Sequence, residues 1–238
     1  MKKILLSLAV FGIAMGFLEA VVVAYLRQIY YPGGFVFPLK TMTLGAFTLE
    51  SWREVSTIVM LLSIAIIAGK VCSERISYFL YCFGIWDIFY YIWLKVLLDW
   101  PQSLLTWDIL FLIPVVWAGP VLAPALCSLT MIALSLFILF LQKEGYTVRI
   151  HFREWVLMVS GFSAILFTFI WEYTRLIFQS GFVSHLSSLG TNPSFQDRIA
   201  NHIPDSFNWM LFLSGEVFIL SAAVSFGKRI RSVRSKGT

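Results

Sequence analysis

Residues 84–101 read GIWDIFYYIWLKVLLDWP, an almost continuous run of apolar and aromatic side chains with Asp87 near its start. A carboxylate at the centre of a bilayer costs roughly 2.5–3.5 kcal/mol on insertion scales. Charged side chains at that depth normally face the interior of a helix bundle or a water-filled cavity. This stretch therefore predicts a membrane-spanning helix with one face turned towards a polar interior.

The composition of the whole chain is that of a membrane protein. Of the 238 residues, 59% are hydrophobic and 13% are charged, and the mean hydropathy is +0.82. Because a soluble domain is usually about 25% charged, lipid is the natural solvent of this chain. The net charge of +5 does not indicate nucleic-acid binding, since many basic residues gather in a C-terminal tail suited to anionic headgroups. We therefore expect membrane lipid as a partner and no nucleic acid.

Apolar windows predict six transmembrane helices, near residues 4–26, 54–72, 76–98, 121–142, 155–178 and 207–227. Each is close to the roughly 20 residues that a bilayer requires. The N-terminal window has the basic start of a signal peptide, but it continues to Leu26 without a convincing cleavage site, which favours a retained first helix. No shift in composition marks a second domain. We expect residues 1–238 to form one all-α transmembrane helix bundle.

The distribution of lysine and arginine predicts the orientation of this bundle. With both termini in the cytoplasm, twelve basic residues lie inside: Lys2, Lys3, Lys70, Arg75, Lys143, Arg149, Arg153, Lys228, Arg229, Arg231, Arg234 and Lys236. Four lie outside (Arg27, Lys40, Arg53 and Arg198), and Lys95 and Arg175 fall near outer helix ends. Because basic loops stay in the cytoplasm, we expect an inner (plasma) membrane protein with both termini cytoplasmic.

The segment 104–124 interrupts the pattern of spans. From Ile109 to Leu141 the chain is apolar, and as a single helix this stretch would be about 50 Å long, too long for one crossing. Prolines interrupt it at positions 114, 120 and 124. A separate crossing by residues 104–118 would be short and would move the basic 143–153 loop outside. We therefore expect a proline-broken, half-inserted helical segment, with a tilted and proline-kinked helix as the alternative.

Ionisable groups of the predicted spans concentrate towards the outer side. Helical spacing places Glu50, Arg53 and Glu54 on one face, and Asp87, Tyr91 and Lys95 on a face of the next helix. We expect these faces to enclose an outward-facing carboxylate, arginine and tyrosine pocket. The candidate substrate-binding or proton-relay residues are Glu19, Arg27, Glu50, Arg53, Glu54, Asp87, Tyr91, Lys95, Asp108, Glu172, Arg175, Asn208 and Glu216.

No catalytic or metal-binding motif accompanies these groups. The sequence contains no G-x-S-x-G, no H-E-x-x-H and no phosphate-binding glycine loop, and no histidine falls in a predicted span. Cys72, Cys82 and Cys127 lack C-x-x-C spacing and fit small buried hydrophobes. We expect no metal and no cofactor, and the sequence assigns no catalytic residue.

Three classes of function fit these observations. The favoured class is binding or transport of a small solute, coupled to protons through intramembrane carboxylates. The second is a membrane-embedded enzyme acting on a lipid-linked or quinone-like substrate from the outer leaflet, with a desolvated carboxyl group as general acid or base. The third is a non-catalytic subunit or assembly factor whose charges dock a protein partner. A cavity open sideways to lipid would favour the second class. The sequence leaves a protein partner and a homo-oligomer open.

Overall fold

The computed structural model describes residues 1–40, 42–113, 115–179, 198–199 and 201–235, with side chains described up to residue 230. Its elements in chain order are α1 (Lys2–Tyr30), α2 (Leu44–Ala68), α3 (Cys72–Leu98), β1 (Trp107–Phe111), β2 (Trp117–Pro120), α4 (Leu122–Lys143), α5 (Phe152–Gln179) and α6 (Trp209–Ser235). Each of the six predicted spans overlaps one of these helices, although α2 begins at Leu44 and not near the predicted residue 54. The prediction of an all-α class is therefore confirmed.

The surface of the bundle is suited to lipid. Six of the described helices are long and apolar enough to cross a membrane. Large apolar side chains such as Leu49, Ile67 and Met210 stand exposed on them. A water-soluble monomer rarely exposes a continuous apolar surface of this kind, because contact with water makes it costly. These exposed side chains thus form an outer apolar surface that is suited to contact with lipid.

Local signals in the sequence set the ends of the helices. The Thr43 hydroxyl accepts a hydrogen bond from the Ala46 N–H at 3.3 Å and caps the start of α2. At the end of α3, Asp99 adopts a left-handed conformation with φ 52°, and Pro101 follows. Lys95 pairs with the Asp99 carboxylate at 2.7 Å, and both side chains are largely exposed. Lys95 therefore stabilises the end of α3, where a cation also favours the helix dipole.

The helix α3 is the centre of the packing. It contacts α1, α2 and α4, while α5 packs mainly on α6. A Cβ atom on Gly16 of α1 would lie 2.9 Å from the Trp86 carbonyl oxygen, and one on Gly84 of α3 would lie 2.7 Å from the Ser128 carbonyl oxygen. Small residues of this kind let helix backbones approach closely within membranes. The three helices α1, α3 and α4 thus form a tightly packed group.

Residues 104–124 do not form the predicted helical segment. β1 and β2 pair antiparallel, with Trp107 opposite Pro120 and Asp108 opposite Gly119. Beyond the strands, the Leu122 N–H donates to the Leu104 carbonyl at 2.8 Å. The helical part of the prediction is wrong because a hairpin satisfies backbone groups across the two strands and accommodates a proline at a strand end, which a helix interior does not. The segment leaves and returns to the same end of the bundle, and Pro114 lies outside the described residues.

Candidate functional site

A cavity of about 1180 Å³ lies between the helices, with the hairpin contributing to its wall. We call the end of the bundle near the hairpin the hairpin end; α1 and α3 finish there, and α2 and α4 begin there. The charged residues that line the cavity lie between this end and about the middle of the bundle, and the lining towards the other end is apolar. The cavity is therefore amphipathic along its length.

Arg53 of α2 forms the largest ion-pair group in the cavity wall. Its guanidinium donates from Nε to Glu50 Oε2 at 2.9 Å and from Nη2 to Glu50 Oε1 at 2.6 Å. The third nitrogen, Nη1, pairs with Glu19 of α1. Thr57 adds a hydrogen bond to the same Glu19 carboxylate at 3.4 Å. One cation thus faces two carboxylates and links α1 to α2.

Glu54, one turn from Glu50, ties α2 to the hairpin. Its two carboxylate oxygens accept the Leu112 backbone N–H at 3.1 and 3.0 Å. Glu54 is buried, and Leu112 follows directly after β1. A backbone N–H buried without an acceptor costs about 1–3 kcal/mol, so this contact holds the hairpin against the helices.

Arg27 and Asp108 form a buried ion pair between α1 and β1. Arg27 Nη2 lies 2.8 Å from Asp108 Oδ1, and both side chains line the cavity. The guanidinium carbon lies 3.7 Å from the centre of the Trp100 ring and 4.5 Å from that of Phe35. Such cation–π contacts favour a guanidinium out of water. The aromatic rings therefore fix the position of Arg27.

The environment of Asp108 explains why it needs Arg27. Burial raises the pKa of the Asp108 carboxyl group, and the Arg27 guanidinium opposes that rise. The Tyr90 and Tyr91 hydroxyl groups, on α3, also favour the charged form. Without Arg27 the buried acid would shift towards its neutral form, because desolvation penalises the charge.

Asp87 and Glu216 are bound by hydroxyl groups on α4. Ser128 Oγ donates to Asp87 Oδ2 at 2.7 Å, and Thr130 Oγ1 donates to Glu216 Oε2 at 2.7 Å. Among the described side chains, no arginine or lysine forms an ion pair with either acid. Glu216 Oε1 is buried and has no hydrogen-bond partner there. Both acids line the cavity, so they differ from Glu19 and Glu50 in lacking a cation.

Several side chains of α2 and α5 that line the apolar part of the cavity are widely exposed, which indicates a sideways opening between these two helices. Val59 of α2 and Phe162 of α5 line the cavity, yet 54% and 59% of their surfaces are exposed. Trp155 and Val159 of α5 also line the cavity and are also exposed. Because α2 packs mainly on α3 and α5 mainly on α6, a gap remains between α2 and α5. The bundle exterior at this gap is the surface that lipid would cover.

Most of the candidate residues from the sequence come together around this cavity. Those that line it are Glu19, Arg27, Glu50, Arg53, Glu54, Asp87, Tyr91, Asp108 and Glu216. Their roles in binding or proton transfer remain predictions.

Four candidate residues lie away from the cavity. Lys95 pairs with Asp99, as described, and Arg175 is exposed on α5. The Asn208 side chain accepts from the Leu211 N–H at 3.0 Å and caps the start of α6. Glu172 lies 2.9 Å from His202 Nε2, outside the cavity wall.

Sequence reasoning missed the partners that α4 supplies. Ser128 and Thr130 lie in an apolar run, where a hydroxyl group commonly bonds to its own helix backbone and gives no functional signal. Their contacts with Asp87 and Glu216 depend on how α4 packs against α3 and α6. In the part of the chain that the structure describes, no group of three or more His, Cys, Asp and Glu side chains is arranged to hold a metal ion.

Six apolar helices around a cavity with a polar end fit a multi-pass membrane protein. No family model matches the chain, and neither a curated protein nor a solved structure is significantly similar to it. The function of this chain must therefore be inferred from the site itself.

Proposed function

We propose that the cavity binds a lipophilic molecule with a polar head, such as a lipid-linked or quinone-like compound, that enters from the membrane. The observation that carries this proposal is the sideways opening between α2 and α5 into a cavity with one polar and one apolar end. Typical ligand pockets measure about 300–1,000 Å³, so a cavity of about 1180 Å³ has room for a long apolar chain. The polar head would lie near the hairpin end.

The acids without a cation supply the chemistry of a membrane-embedded enzyme acting on such a molecule. A general acid or base must gain and lose a proton readily near the reacting group. Asp87 and Glu216 are held by neutral hydroxyl groups, so either can change its charge without stranding an arginine or lysine. We assign proton transfer at the polar head to one of these two residues.

A second candidate function is proton-coupled binding or transport of a small solute. The same hydroxyl-bound acids, Asp87 and Glu216, favour it, because carriers use intramembrane carboxylates as proton sites. The solute would occupy only the polar part of the cavity. The identity of the molecule in the apolar part therefore separates the two candidates.

A photo-crosslinking experiment makes this separation. A benzophenone amino acid replaces Leu134, which lines the cavity, or Leu136, which is exposed on the outer surface of the same helix. After irradiation of intact membranes, mass spectrometry identifies the molecules attached to the full-length protein. We expect a defined lipophilic compound at position 134 and bulk phospholipid at position 136. If the probe at position 134 reacted only with water or hydrophilic solutes, the result would contradict the proposal and support the second candidate.

We also propose that the protein lies in the inner membrane with both termini in the cytoplasm, which turns the hairpin end outward. The bias of basic residues supports this orientation. In a variant without native cysteines, a cysteine at Gly33, in the exposed α1–α2 loop, should react with an impermeant thiol reagent added to cells. A cysteine at Thr147, in the exposed α4–α5 loop, should not. Labelling of Thr147→Cys alone would reverse the orientation.

A further inference from the structure

The ion pair between Arg27 and Asp108 leaves one donor and one acceptor open. The two residues are 7% and 1% exposed, and they meet only through Arg27 Nη2 and Asp108 Oδ1. Arg27 Nη1 and Asp108 Oδ2 are buried, and no described residue places a partner at hydrogen-bond distance from either atom. The Tyr90 and Tyr91 hydroxyl groups act on the Asp108 carboxylate without closing this gap. Arginine and carboxylate often bind through two parallel hydrogen bonds, and buried polar atoms are rarely left unpaired. The pair is therefore incomplete as it stands.

The surroundings hold the pair in this arrangement. Trp100 and Phe35 contact the guanidinium at ring-centre distances of 3.7 and 4.5 Å. Tyr91 lies beside the Asp108 carboxylate on the α3 side. The open donor and acceptor thus belong to one ion pair whose two residues line the cavity, and rotation of Arg27 would cost its contacts with the rings.

We infer that Arg27 Nη1 and Asp108 Oδ2 bind a neutral polar head that presents a hydrogen-bond acceptor and donor together, of which a hydroxyl group is the simplest. The inference rests on the proposed function, because the head belongs to the lipophilic molecule in the cavity. A hydroxyl oxygen can accept from the guanidinium while its O–H donates to the carboxylate. Both open atoms are then satisfied by a single group.

Charge in the cavity argues for a neutral head. An anionic head such as a phosphate would meet Asp108 directly. It would also approach Glu54, Asp87 and Glu216, none of which has an ion-pair partner among the described residues. A cationic head would meet the Arg27 guanidinium at the same place. Like charges in a low-dielectric site repel strongly, whereas a hydroxyl group avoids both contacts.

Competition between probes that share one chain tests this inference. Purified full-length protein is crosslinked to hexadecanol that carries a diazirine on its chain. Unlabelled hexadecanol, 1-methoxyhexadecane and hexadecyl phosphate compete. We expect hexadecanol to compete at about tenfold lower concentration than the ether, since the ether cannot donate to Asp108. The phosphate should be the weakest competitor.

A matched pair of variants locates the effect. In Asp108→Asn the remaining oxygen should stay with Arg27, so an amide N–H would face the head and the ratio between alcohol and ether should fall to about one. Glu154→Gln removes a buried carboxylate from another ion pair, with the partly exposed Arg229, and this pair does not line the cavity. The ratio should be unchanged in that variant.

The outcomes distinguish the inference from the proposed function. Equal competition by the alcohol and the ether in the unaltered protein would overturn the inference, since a donor on the head would then make no difference to binding. Lipophilic binding would still stand. Preference for the phosphate would also overturn it. A failure of every probe to show saturable crosslinking would contradict the proposed function itself. Because the unaltered protein decides between alcohol and ether, the test holds even if Asp108→Asn does not fold.

Discussion

Asp87 of α3 accepts a hydrogen bond from the Ser128 hydroxyl group of α4 at 2.7 Å. In the described part of the chain, no lysine or arginine forms an ion pair with it. The residue is only partly buried, and it lines the cavity. An ion pair between helices therefore does not account for this acid in an apolar helix, and its accessibility from the cavity supports a functional role.

We expect Asp87→Asn to impair function without impairing folding. Asparagine keeps the shape and an oxygen that can accept from Ser128, but it removes the titratable proton. Because no cation is left unpaired, the melting temperature in detergent should stay within about 3 °C of that of the unaltered protein. Turnover of a lipophilic substrate should fall about tenfold or more, because the group assigned to proton transfer is gone. Melting far below this range would assign the carboxylate a structural role.

The Arg53 group should behave in the opposite way. Arg53→Gln leaves Glu19 and Glu50 without their cation, and breaking such a partly buried pair should cost about 3 kcal/mol of unfolding free energy. Neutralising both acids in the same chain, with Glu19→Gln and Glu50→Gln, should restore much of this loss. Unfolding in mixed micelles measures each value.

The control for this experiment is Lys95→Gln. It breaks the exposed pair with Asp99, and surface pairs contribute little, so we expect no measurable change in unfolding. If the Lys95 and Arg53 variants lost the same free energy of unfolding, the position of Arg53 in the cavity wall would not explain its contribution to stability.

The helices could be predicted from the sequence because an apolar run of about 20 residues is typical of a membrane-spanning helix. The hairpin could not be predicted, since strands of five and four residues are too short to show a periodicity that distinguishes them from part of a helix. The prolines at 120 and 124 do interrupt the apolar run, but they mark a strand end and the first turn of α4. Proline is tolerated at a strand end and in the first turn of a helix for the same reason: its missing N–H is not needed at either position.

Helical spacing also predicted much of the cavity wall but not its limits. Asp87, Tyr91 and Lys95 share a face, yet Lys95 lies in the last turn and reaches Asp99 beyond the helix end. The sideways opening was beyond prediction, because it depends on which helices pack together. A periodic pattern identifies the inward face of a helix but not the neighbour of that face.

The closeness of α1 and α3 predicts that Gly16 tolerates no side chain. In Gly16→Ala the new methyl group would lie 2.9 Å from the Trp86 carbonyl oxygen, so the helices would have to separate. We expect a loss of about 1–3 kcal/mol in unfolding free energy, as for other overpacked contacts. Gly45→Ala in the first turn of α2 meets open space and should be neutral or slightly stabilising. Equal melting of the two variants would contradict this account of the interface.

The contact between Glu54 and Leu112 predicts that α2 controls the hairpin. Glu54→Ala would leave the Leu112 N–H without its acceptor, at a cost of about 1–3 kcal/mol, and the hairpin peptide should exchange its amide hydrogens faster. Glu54→Gln keeps one carbonyl acceptor and should restore most of the protection. Glu74→Gln is the matched control, because Glu74 accepts the Lys70 N–H at 2.7 Å at the other end of the bundle. Hydrogen exchange measured by mass spectrometry should show the hairpin unaffected in that control. If hydrogen exchange in the hairpin were unchanged in Glu54→Ala, strand pairing alone would hold the hairpin in place. Glu54 would then have no effect on ligand binding by way of the hairpin.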